Sequence, residues 1–210
     1  MSTAAPTRAC NTLIARSFDW IARPYDFAPL QWLVYRPPHD EVLAELRAAG
    51  ACRIADIGCG TGILTSRIER ELRPERIVGV DASAGMLARA RRRSERVGWY
   101  RGPAERLPFA DADLDAVVCT TAFHFFDQPA ALAEFARVLV PGGVMIVSTV
   151  GSLSLPRLAR ISMFPAHAPT PAELRKMVQA LGFDVLDQRP IHRPLPRPLI
   201  PDIVTVARRP

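Results

Sequence analysis

The sequence predicts an α/β fold, a doubly wound and mostly parallel sheet with helices on both faces and an antiparallel C-terminal edge. Short runs rich in Val and Ile alternate with longer amphipathic segments from residue 51 onward, which is typical of strand–helix–strand units. These runs are apolar throughout, as in parallel strands that are covered on both faces. Two further runs after residue 182 flank a proline-rich stretch, which favours an antiparallel pair at the edge. Right-handed crossovers would then place helices on both faces of the sheet.

Seven short runs are predicted to be strands, and most of them end at turn residues. The first run ends at the glycines after Ile57, and the second ends at Asp81. The others are rich in β-branched residues, except for a weak candidate beside Trp99. In chain order, the predicted strands are Cys52–Ile57, Arg76–Asp81, Trp99–Tyr100, Leu114–Thr120, Val144–Val150, Phe183–Asp187 and Ile203–Ala207.

Apolar residues recur at helical spacing between these strands. Ser83 can cap a helix that carries Met86 and Val97 toward the core. Pro129 opens another helix, which Pro141 and the glycines after it stop. The remaining predicted helices are His39–Ala49, Gly62–Leu72 and Pro171–Leu181, and the one that Pro129 opens ends at Leu139.

Two segments lie outside this regular pattern. Residues 1–37 contain six aromatic residues and a predicted helix at Thr12–Ile21, so we expect an N-terminal cap on a domain formed by residues 38–210. Residues 151–169 are irregular and apolar. Each segment could be a flap over a ligand site, or could simply pack beside the core.

Length and charge fit one such domain with a short appendage. The chain has 210 residues, of which 49% are hydrophobic and 23% charged, close to the globular average. Its net charge of +6 is concentrated in the last 60 residues, where basic residues are dispersed among prolines. The arginine run Arg89–Arg96 fits the solvated outer face of a helix. We therefore expect no nucleic-acid partner.

Cysteine usage and hydropathy favour a reduced, cytoplasmic protein. The four cysteines form no CxxC pair and no Cys/His metal spacing, so no metal is expected. No signal-peptide pattern follows Met1–Arg8. No uncharged apolar run reaches the roughly 18 residues of a membrane span. We expect a monomer or homodimer without a transmembrane segment, and transient contact with a membrane surface stays open.

The clearest functional pattern is the glycine-rich turn Asp56-Ile57-Gly58-Cys59-Gly60-Thr61-Gly62 after the first strand. Glycines let the chain turn tightly and let a ligand approach the backbone. Asp81 ends the next strand, 23 residues after Gly58, where an acidic side chain can bind ribose hydroxyls. The pattern predicts an adenosine-containing ligand at the carboxyl ends of the strands. Its GxGxG spacing lacks the third glycine of dinucleotide sites.

These residues resemble the class I S-adenosylmethionine-dependent methyltransferases, which have a Rossmann-like fold. Asp56–Gly62 is similar to the family's first motif, and Val80–Leu87 to its second. Ala104–Phe109 resembles the segment after the third strand, and Phe135–Gly143 the helix and turn before the fifth. Phe18–Asp26 is similar to the entry segment of the branch that acts in quinone biosynthesis and on phospholipids.

The resemblance implies S-adenosylmethionine as the cofactor and a role for single residues. Gly58, Gly60 and Gly62, with Cys59 between them, would pass close to the methionine and ribose portions. Asp56 would hold the methionine end. The other implied contacts are Asp81 at the ribose hydroxyls, Ala82 and Met86 at the adenine, Ala104 and Glu105 at its amino edge, Thr120–Ala122 at the sulfonium, and Tyr25 over the cofactor.

Structural roles compete with several of these assignments. Asp81 could merely cap the helix that follows it, and Met86 has the spacing of a core residue. Glu105 could be a solvated charge, and an isolated Tyr25 fits plain packing equally well. His124 follows the fourth strand among aromatic residues, so it is the candidate base for deprotonating an acceptor, against the alternative of a packed structural histidine.

We expect an enzyme that transfers a methyl group from S-adenosylmethionine to a small-molecule acceptor. The aromatic residues of Phe123–Phe126 favour an apolar or aromatic acceptor. The reaction needs mainly alignment and exclusion of water, because a sulfonium is already a good leaving group. A non-catalytic S-adenosylmethionine-binding protein and a nicotinamide-dependent oxidoreductase remain as alternatives.

Overall fold

A computed structural model describes residues 35–150, 169–192 and 202–210, which form a seven-stranded sheet with helices on both faces. The strands are β1 (Arg53–Ile57), β2 (Arg76–Asp81), β3 (Gly98–Arg101), β4 (Leu114–Thr120), β5 (Leu139–Val150), β6 (Asp184–Pro190) and β7 (Asp202–Arg208). The helices are α1 (Arg36–Ala49), α2 (Ile63–Leu72), α3 (Ala84–Ala90), α4 (Gln128–Val138) and α5 (Pro171–Ala180), and a 3-10 turn covers Phe123–Phe125.

The strand order confirms the predicted fold class. The sheet runs β3-β2-β1-β4-β5-β7-β6, with β1 to β5 parallel. β7 lies between β5 and β6 and is antiparallel to both, which gives the antiparallel C-terminal edge. The chain leaves β1 toward β2 but returns to pair β4 on the other side of β1. Ligands of doubly wound sheets bind at the carboxyl ends of the strands beside such a switch point.

Alternating side chains divide the interior into two hydrophobic cores, one on each face of the sheet. On one face, Ile54 and Val118 pack with residues of α1 and α2 such as Leu46. On the other face, Ile57 packs with residues of α4 and α5 such as Phe135. Successive strand residues point to opposite faces, so β1, β2, β4, β5 and β7 contribute to both cores.

Capping residues define where several helices begin and end. Asp127 caps α4 by accepting a hydrogen bond from the N–H of Ala130. Thr170 and Glu173 form a capping box at the start of α5. α1 ends at Gly50, which adopts a left-handed conformation (φ 61°) that favours glycine.

Two sequence predictions are wrong at their boundaries. The helix after Ser83 ends at Ala90 instead of continuing to Val97, because a turn follows and the indole N–H of Trp99 donates to the carbonyl of Ser94. Val97 is buried in the core without being helical. α1 begins at Arg36, three residues before the predicted start at His39, because the prolines at its first positions are compatible with the first turn of a helix.

Other predictions lie outside the described residues. These are the helix Thr12–Ile21, the entry segment Phe18–Asp26, Tyr25, nearly all of the N-terminal cap, and residues 151–168 of the second irregular segment. No helix of the described ranges is long and apolar enough to cross a membrane. The same ranges contain no group of three or more His, Cys, Asp and Glu side chains that could hold a metal ion.

Candidate functional site

The glycine turn after β1 has a backbone that only glycine fits. Gly58, Gly60 and Gly62 all have positive φ, at 73°, 55° and 76°. A Cβ on Gly58 would lie 2.4 Å from the Cβ of Ala122, and one on Gly62 would lie 2.5 Å from the ring of Trp99. Substitution of either glycine therefore meets both backbone strain and a collision.

Cys59 contributes its backbone to this turn, while its thiol lies inside the protein. The N–H groups of Gly58 and Cys59 both donate to the carbonyl of Val80, at 2.8 and 3.1 Å, and fasten the turn to β2. The Cys59 side chain is buried, with its Sγ 3.0 Å from where a Cβ of Gly79 would be. Burial raises the pKa of the thiol, so Cys59 is neutral and packed.

Asp81 is fixed against the glycine turn by two backbone donors. Its Oδ2 accepts from the N–H of Gly60 at 2.8 Å, and its Oδ1 accepts from the N–H of Ser83 at 2.8 Å. The helix cap is Ser83, whose hydroxyl accepts from the N–H of Met86. Asp81 therefore does more than cap a helix, because it joins the end of β2 to the turn after β1.

Asp56 is a buried carboxylate, 1% exposed, at the end of β1. Its Oδ2 accepts a 2.6 Å hydrogen bond from the hydroxyl of Thr65, and its Oδ1 has no partner among the described residues. Burial raises the pKa of Asp56 to about 7; the Thr65 hydrogen bond opposes this shift, and the negative charge of Asp81 adds to it. An unpaired oxygen on a buried carboxylate is suited to a cationic group of a ligand.

The residues assigned to the adenine have different surroundings. Ala82 is exposed, whereas Met86 is buried, in agreement with its core spacing. Ala104 is part of the hydrophobic core on the α4 and α5 face, so only its backbone is placed for a ligand. Glu105 is half-buried and its Oε1 accepts from the N–H of Asp127 at 2.7 Å, so it is not a solvated charge.

Thr120 and Thr121 end β4 next to the switch point. Thr120 is buried and pairs with Ser148 of β5. Thr121 has a φ of 53°, which is a strained conformation for a β-branched residue, and its N–H donates to the carbonyl of Ser148. The strained turn directs the chain from β4 into the 3-10 segment that holds His124.

His124 is held as a neutral side chain. Its ring lies 4.0 Å from that of Phe125, and its Nδ1 is buried with no hydrogen-bond partner in the described part of the chain. Burial lowers the pKa of His124 to about 4, so the imidazole is uncharged at neutral pH. The ring is packed, as the structural alternative expected, yet it keeps one nitrogen without a partner.

Neighbouring aromatic residues serve packing more than ligand binding. Phe123 is fully buried in the core. Phe126 packs edge-on against Phe123 and lies 3.1 Å from where a Cβ of Gly58 would be. The sequence analysis expected the aromatic residues of Phe123–Phe126 to favour an apolar acceptor. Phe123 does not support this expectation, because its side chain is buried in the core.

Sequence reasoning missed Thr65, Trp99 and a pair of hydroxyl residues at the end of β5. Thr65 holds Asp56, and Trp99 fills the space that Gly62 leaves open. The hydroxyls of Ser148 and Thr149, at the end of β5, are buried without a hydrogen-bond partner among the described residues. Two consecutive hydroxyl residues directly after an apolar run are a signal that could have marked the end of β5.

This arrangement fits the methionine, ribose and nucleoside portions of S-adenosylmethionine. The orphaned Oδ1 of Asp56 matches the ammonium of a methionine tail. Asp81 lies beside a turn whose three glycines leave the backbone uncovered by Cβ atoms. A buried carboxylate and an uncovered backbone, at neighbouring strand ends, are what a cationic amino-acid tail joined to a ribose requires.

Comparisons with known proteins agree with the fold and the motifs. A family described as "Methyltransferase domain" matches residues 55–147. The malonyl-[acyl-carrier protein] O-methyltransferase of Hahella chejuensis is 37% identical over 142 residues, which are 65% of this chain and 49% of that protein. The enzyme of the same name from Serratia marcescens is 34% identical over 157 residues, 74% of this chain and 60% of that protein.

One solved structure shows the extent of the common fold. The magnesium protoporphyrin IX methyltransferase of Synechocystis, crystallised with bound SAH, has a TM-score of 0.74 at 19% identity and covers 98% of this chain and 100% of its own. The chain spans only 49% and 60% of the two sequence relatives. The nicotinamide alternative finds no support in these matches. Residues 55–147 thus form a methyltransferase domain, and its fold and motifs are those of the class I S-adenosylmethionine-dependent methyltransferases.

Proposed function

We propose that this protein transfers the methyl group of S-adenosylmethionine to a carboxylate oxygen of a small acyl acceptor, of the malonyl thioester class. The observation that carries the proposal is the pair of carboxylates at neighbouring strand ends. Asp81 is hydrogen-bonded to the glycine turn, and Asp56 is buried with one oxygen lacking a partner among the described residues. This pair suits a ligand with a ribose and an ammonium group.

The residues of the chain divide the binding work between them. Asp56 accepts from the ammonium, Asp81 binds the ribose hydroxyls, and the backbone of Gly58–Gly62, Cys59 included, lies along the tail. Ala82, Met86, Ala104 and Glu105 lie about the adenine, and Thr120 lies beside the sulfur. When bound, S-adenosylmethionine supplies an electrophilic methyl group on a sulfonium, so no side chain has to activate it. The protein's part is alignment and the exclusion of water.

Polar groups support a carboxylate acceptor over an apolar one. Ser148, Thr149 and His124 each present a buried polar atom without a partner among the described residues, near the ends of β4 and β5. Unsatisfied buried polar atoms cost about 1–3 kcal/mol each, so a polar ligand or water at this end would relieve them. The names of the two relatives specify an acyl acceptor, which agrees with this chemistry.

A carboxylate acceptor also suits the state of His124. A carboxylate is ionised at neutral pH and has no proton to lose before methyl transfer. A neutral imidazole can donate a hydrogen bond from one nitrogen and accept at the other. His124 therefore orients the acceptor, and the reaction needs no general base.

The direct test is incubation of the full chain with S-adenosylmethionine and malonyl-loaded acyl carrier protein. We expect a malonyl methyl ester, detected by mass spectrometry, together with one equivalent of S-adenosylhomocysteine. A variant Asp81→Ala should give neither product. The proposal is wrong if a phenol or an apolar alcohol is methylated while the malonyl thioester is not.

A non-catalytic S-adenosylmethionine-binding protein makes a different prediction. Such a protein would gain thermal stability from S-adenosylhomocysteine by mass action, yet would release no product with any acceptor. Parallel measurement of the thermal shift and of product formation separates the two functions.

A further inference from the structure

Positive charge is concentrated on one edge of the sheet. Residues 89–106, which run from the end of α3 through β3, contain seven arginines and two glutamates, a net +5 against +6 for the whole chain. Six of these arginines are exposed, and Arg96 among them forms an ion pair with Glu69 at 3.2 Å. We call the other five the arginine surface: Arg91, Arg92, Arg93, Arg101 and Arg106. The remaining residues of the segment that forms β1 to β5, residues 51–88 and 107–150, include more acidic than basic side chains.

Most members of the arginine surface have no carboxylate partner among the described residues, unlike many arginines elsewhere in those ranges. Arg53, Arg67 and Arg137 each form an ion pair at 2.9 Å or less. Within the described ranges, Arg91, Arg92, Arg101 and Arg106 form no such pair. Their positive charge is therefore not neutralised by carboxylates of the described residues, and it is available to an anionic partner in solution.

The arginine surface adjoins the cofactor site. Arg93 donates from Nε to the carbonyl of Thr61 in the glycine turn, at 2.8 Å. Arg101 pairs with Asp81 across β2 and β3, and its Nε donates to the carbonyl of Ala82. S-adenosylmethionine carries a positive sulfonium, so these cations do not favour its binding. Their position beside the site indicates that they serve the other, anionic substrate.

The geometry also indicates how that substrate is presented. Three strand spacings separate β3 from β4, which is about 14 Å at the usual distance between strands. A group bound at the arginine surface is thus too far from the end of β4 to react directly. An acceptor held on a flexible arm, whose protein part binds at the edge, would span this gap.

Aromatic residues near this surface are already used in packing. Trp99 fills the space beside Gly62 and Gly79, and its indole N–H donates to Ser94. Tyr100 packs edge-on against Phe109 with ring centroids 5.9 Å apart. Single-stranded nucleic acid is bound by successive aromatic faces on which bases stack. Trp99 is held in these contacts, which leaves Tyr100, 44% exposed, as a single stacking face and not a row of them.

We propose that the arginine surface is a docking face for the acidic side of a carrier protein that presents the acceptor on its thioester arm. This inference rests on the proposed function and adds the partner. The interface is electrostatic, so it governs the encounter with the carrier more than the chemical step.

The test compares two charge-matched double variants of the full chain. Arg92→Glu/Arg106→Glu changes the arginine surface at side chains with no hydrogen bond among the described residues. Arg47→Glu/Arg208→Glu makes the same change of charge at the opposite end of the sheet, where α1 ends and β7 meets the start of β5. Binding of malonyl-loaded acyl carrier protein is measured by fluorescence anisotropy with S-adenosylhomocysteine present, at low and at high salt.

We expect the Arg92/Arg106 variant to weaken carrier binding about tenfold or more, and the control variant to stay near the parent. Added salt should weaken the parent's binding and have less effect on the variant. Turnover of malonyl-pantetheine, which lacks the protein, should be equal in all three. The inference is overturned if both variants lose binding equally, or if a single-stranded oligonucleotide binds the parent more tightly than the carrier does.

This design separates the docking face from the reaction. If no methyl ester forms with either thioester, the proposed function fails, yet carrier binding still reports on the arginine surface. If both thioesters are methylated and Arg92→Glu/Arg106→Glu binds the carrier as tightly as the parent does, the proposed reaction is supported and the proposed docking role of the arginine surface is refuted. Circular dichroism of the three proteins verifies that they share one fold.

Discussion

Asp56 and Asp81 lie at the ends of neighbouring strands, but the two carboxylates differ in burial and in hydrogen bonding. Asp81 is half-buried and accepts from the N–H groups of Gly60 and Ser83. Asp56 is buried, and its Oδ2 accepts a hydrogen bond from the hydroxyl of Thr65. Burial disfavours its ionised form, so the pKa of Asp56 is raised to about 7. Ionisation of Asp56 in the free protein therefore costs free energy, and a bound cationic group would stabilise the ionised carboxylate.

Asp56→Asn should change both cofactor binding and the pH dependence of stability. Because the pKa of Asp56 is raised, the contribution of this residue to the free energy of unfolding is highest at low pH. This contribution is lost as pH rises toward about 7, by about 1.4 kcal/mol per pH unit. The Asn variant lacks this loss, so its melting temperature should fall less over that window. Thermal melts from about pH 4 to pH 7, with melts above pH 7 to show the plateau, measure this difference.

Binding to Asp56 requires the charge that folding disfavours. Titration calorimetry should therefore show S-adenosylmethionine binding weaken below about pH 7 in the parent. Asp56→Asn should bind weakly at every pH. Equal pH dependence of binding in the two proteins would refute the role of Asp56.

His124→Gln tests whether the reaction uses a base. An orienting group replaced by another hydrogen-bonding side chain should lower kcat less than about tenfold, whereas loss of a general base costs about 10²–10⁴-fold. Steady-state rates with malonyl-loaded carrier protein measure the difference. A drop beyond about a hundredfold, together with a changed pH profile, would show that His124 removes a proton.

At the scale of elements, the glycine turn and β3 depend on each other. Gly62 and Gly79 leave room for the Trp99 ring, which places β3 beside β2 and the turn above it. The sequence indicates the turn itself, since its glycines are local. It does not indicate Trp99 as their neighbour, because that contact joins residues 37 positions apart.

Gly62→Ala and Gly142→Ala form a matched pair that isolates this packing. The two glycines have similar φ angles, 76° and 79°. An added Cβ at Gly62 meets Trp99 at 2.5 Å and the Cβ of Ala90 at 2.9 Å, whereas one at Gly142 meets no atom of the described residues within 4 Å. Gly142→Ala should lower the unfolding free energy by about 1 kcal/mol from strain alone. Gly62→Ala should lose about 2–4 kcal/mol, since overpacking is added. Urea unfolding measures both; equal losses would mean that Trp99 moves aside freely.

Strand β5 shows why some boundaries are difficult to predict. Its turn signal, Pro141-Gly142-Gly143, suggests that the strand starts at Val144, yet the strand begins at Leu139. Leu139 pairs with Leu114 of β4, and a register shift in that pair accommodates the irregular residues. Tertiary pairing thus extends a strand across residues that end one locally.

Across the whole molecule, the fold class follows from the repeated strand–helix pattern, and the positions of the two carboxylates follow from their place at strand ends. The hydroxyls of Ser148 and Thr149, which have no hydrogen-bond partner among the described residues, do not follow, because their burial depends on other segments. The position of β7 is also not encoded locally. Only pairing shows that it enters between β5 and β6.

Removal of β7 should disrupt the sheet more than its seven residues suggest. β6 pairs with β7, and β5 has β7 as its outer neighbour, so a chain ending at residue 200 leaves both without that partner. We expect it to lose the cooperative thermal transition and to aggregate. A chain lacking only Pro210 is the control, because Arg209 still bonds to Gly142 and Gly143. A sharp transition in the chain ending at residue 200 would contradict this dependence.

The late entry of β7 also sets the order of events during synthesis. β6 leaves the ribosome before the strand that joins it to the sheet, so the outer side of β5 waits for a segment made later. A domain of this topology completes its sheet only after that segment is released, and it depends on distant pairings that form slowly. Until then, nascent chains expose the outer edge of β5, an unpaired strand edge of the kind that promotes aggregation.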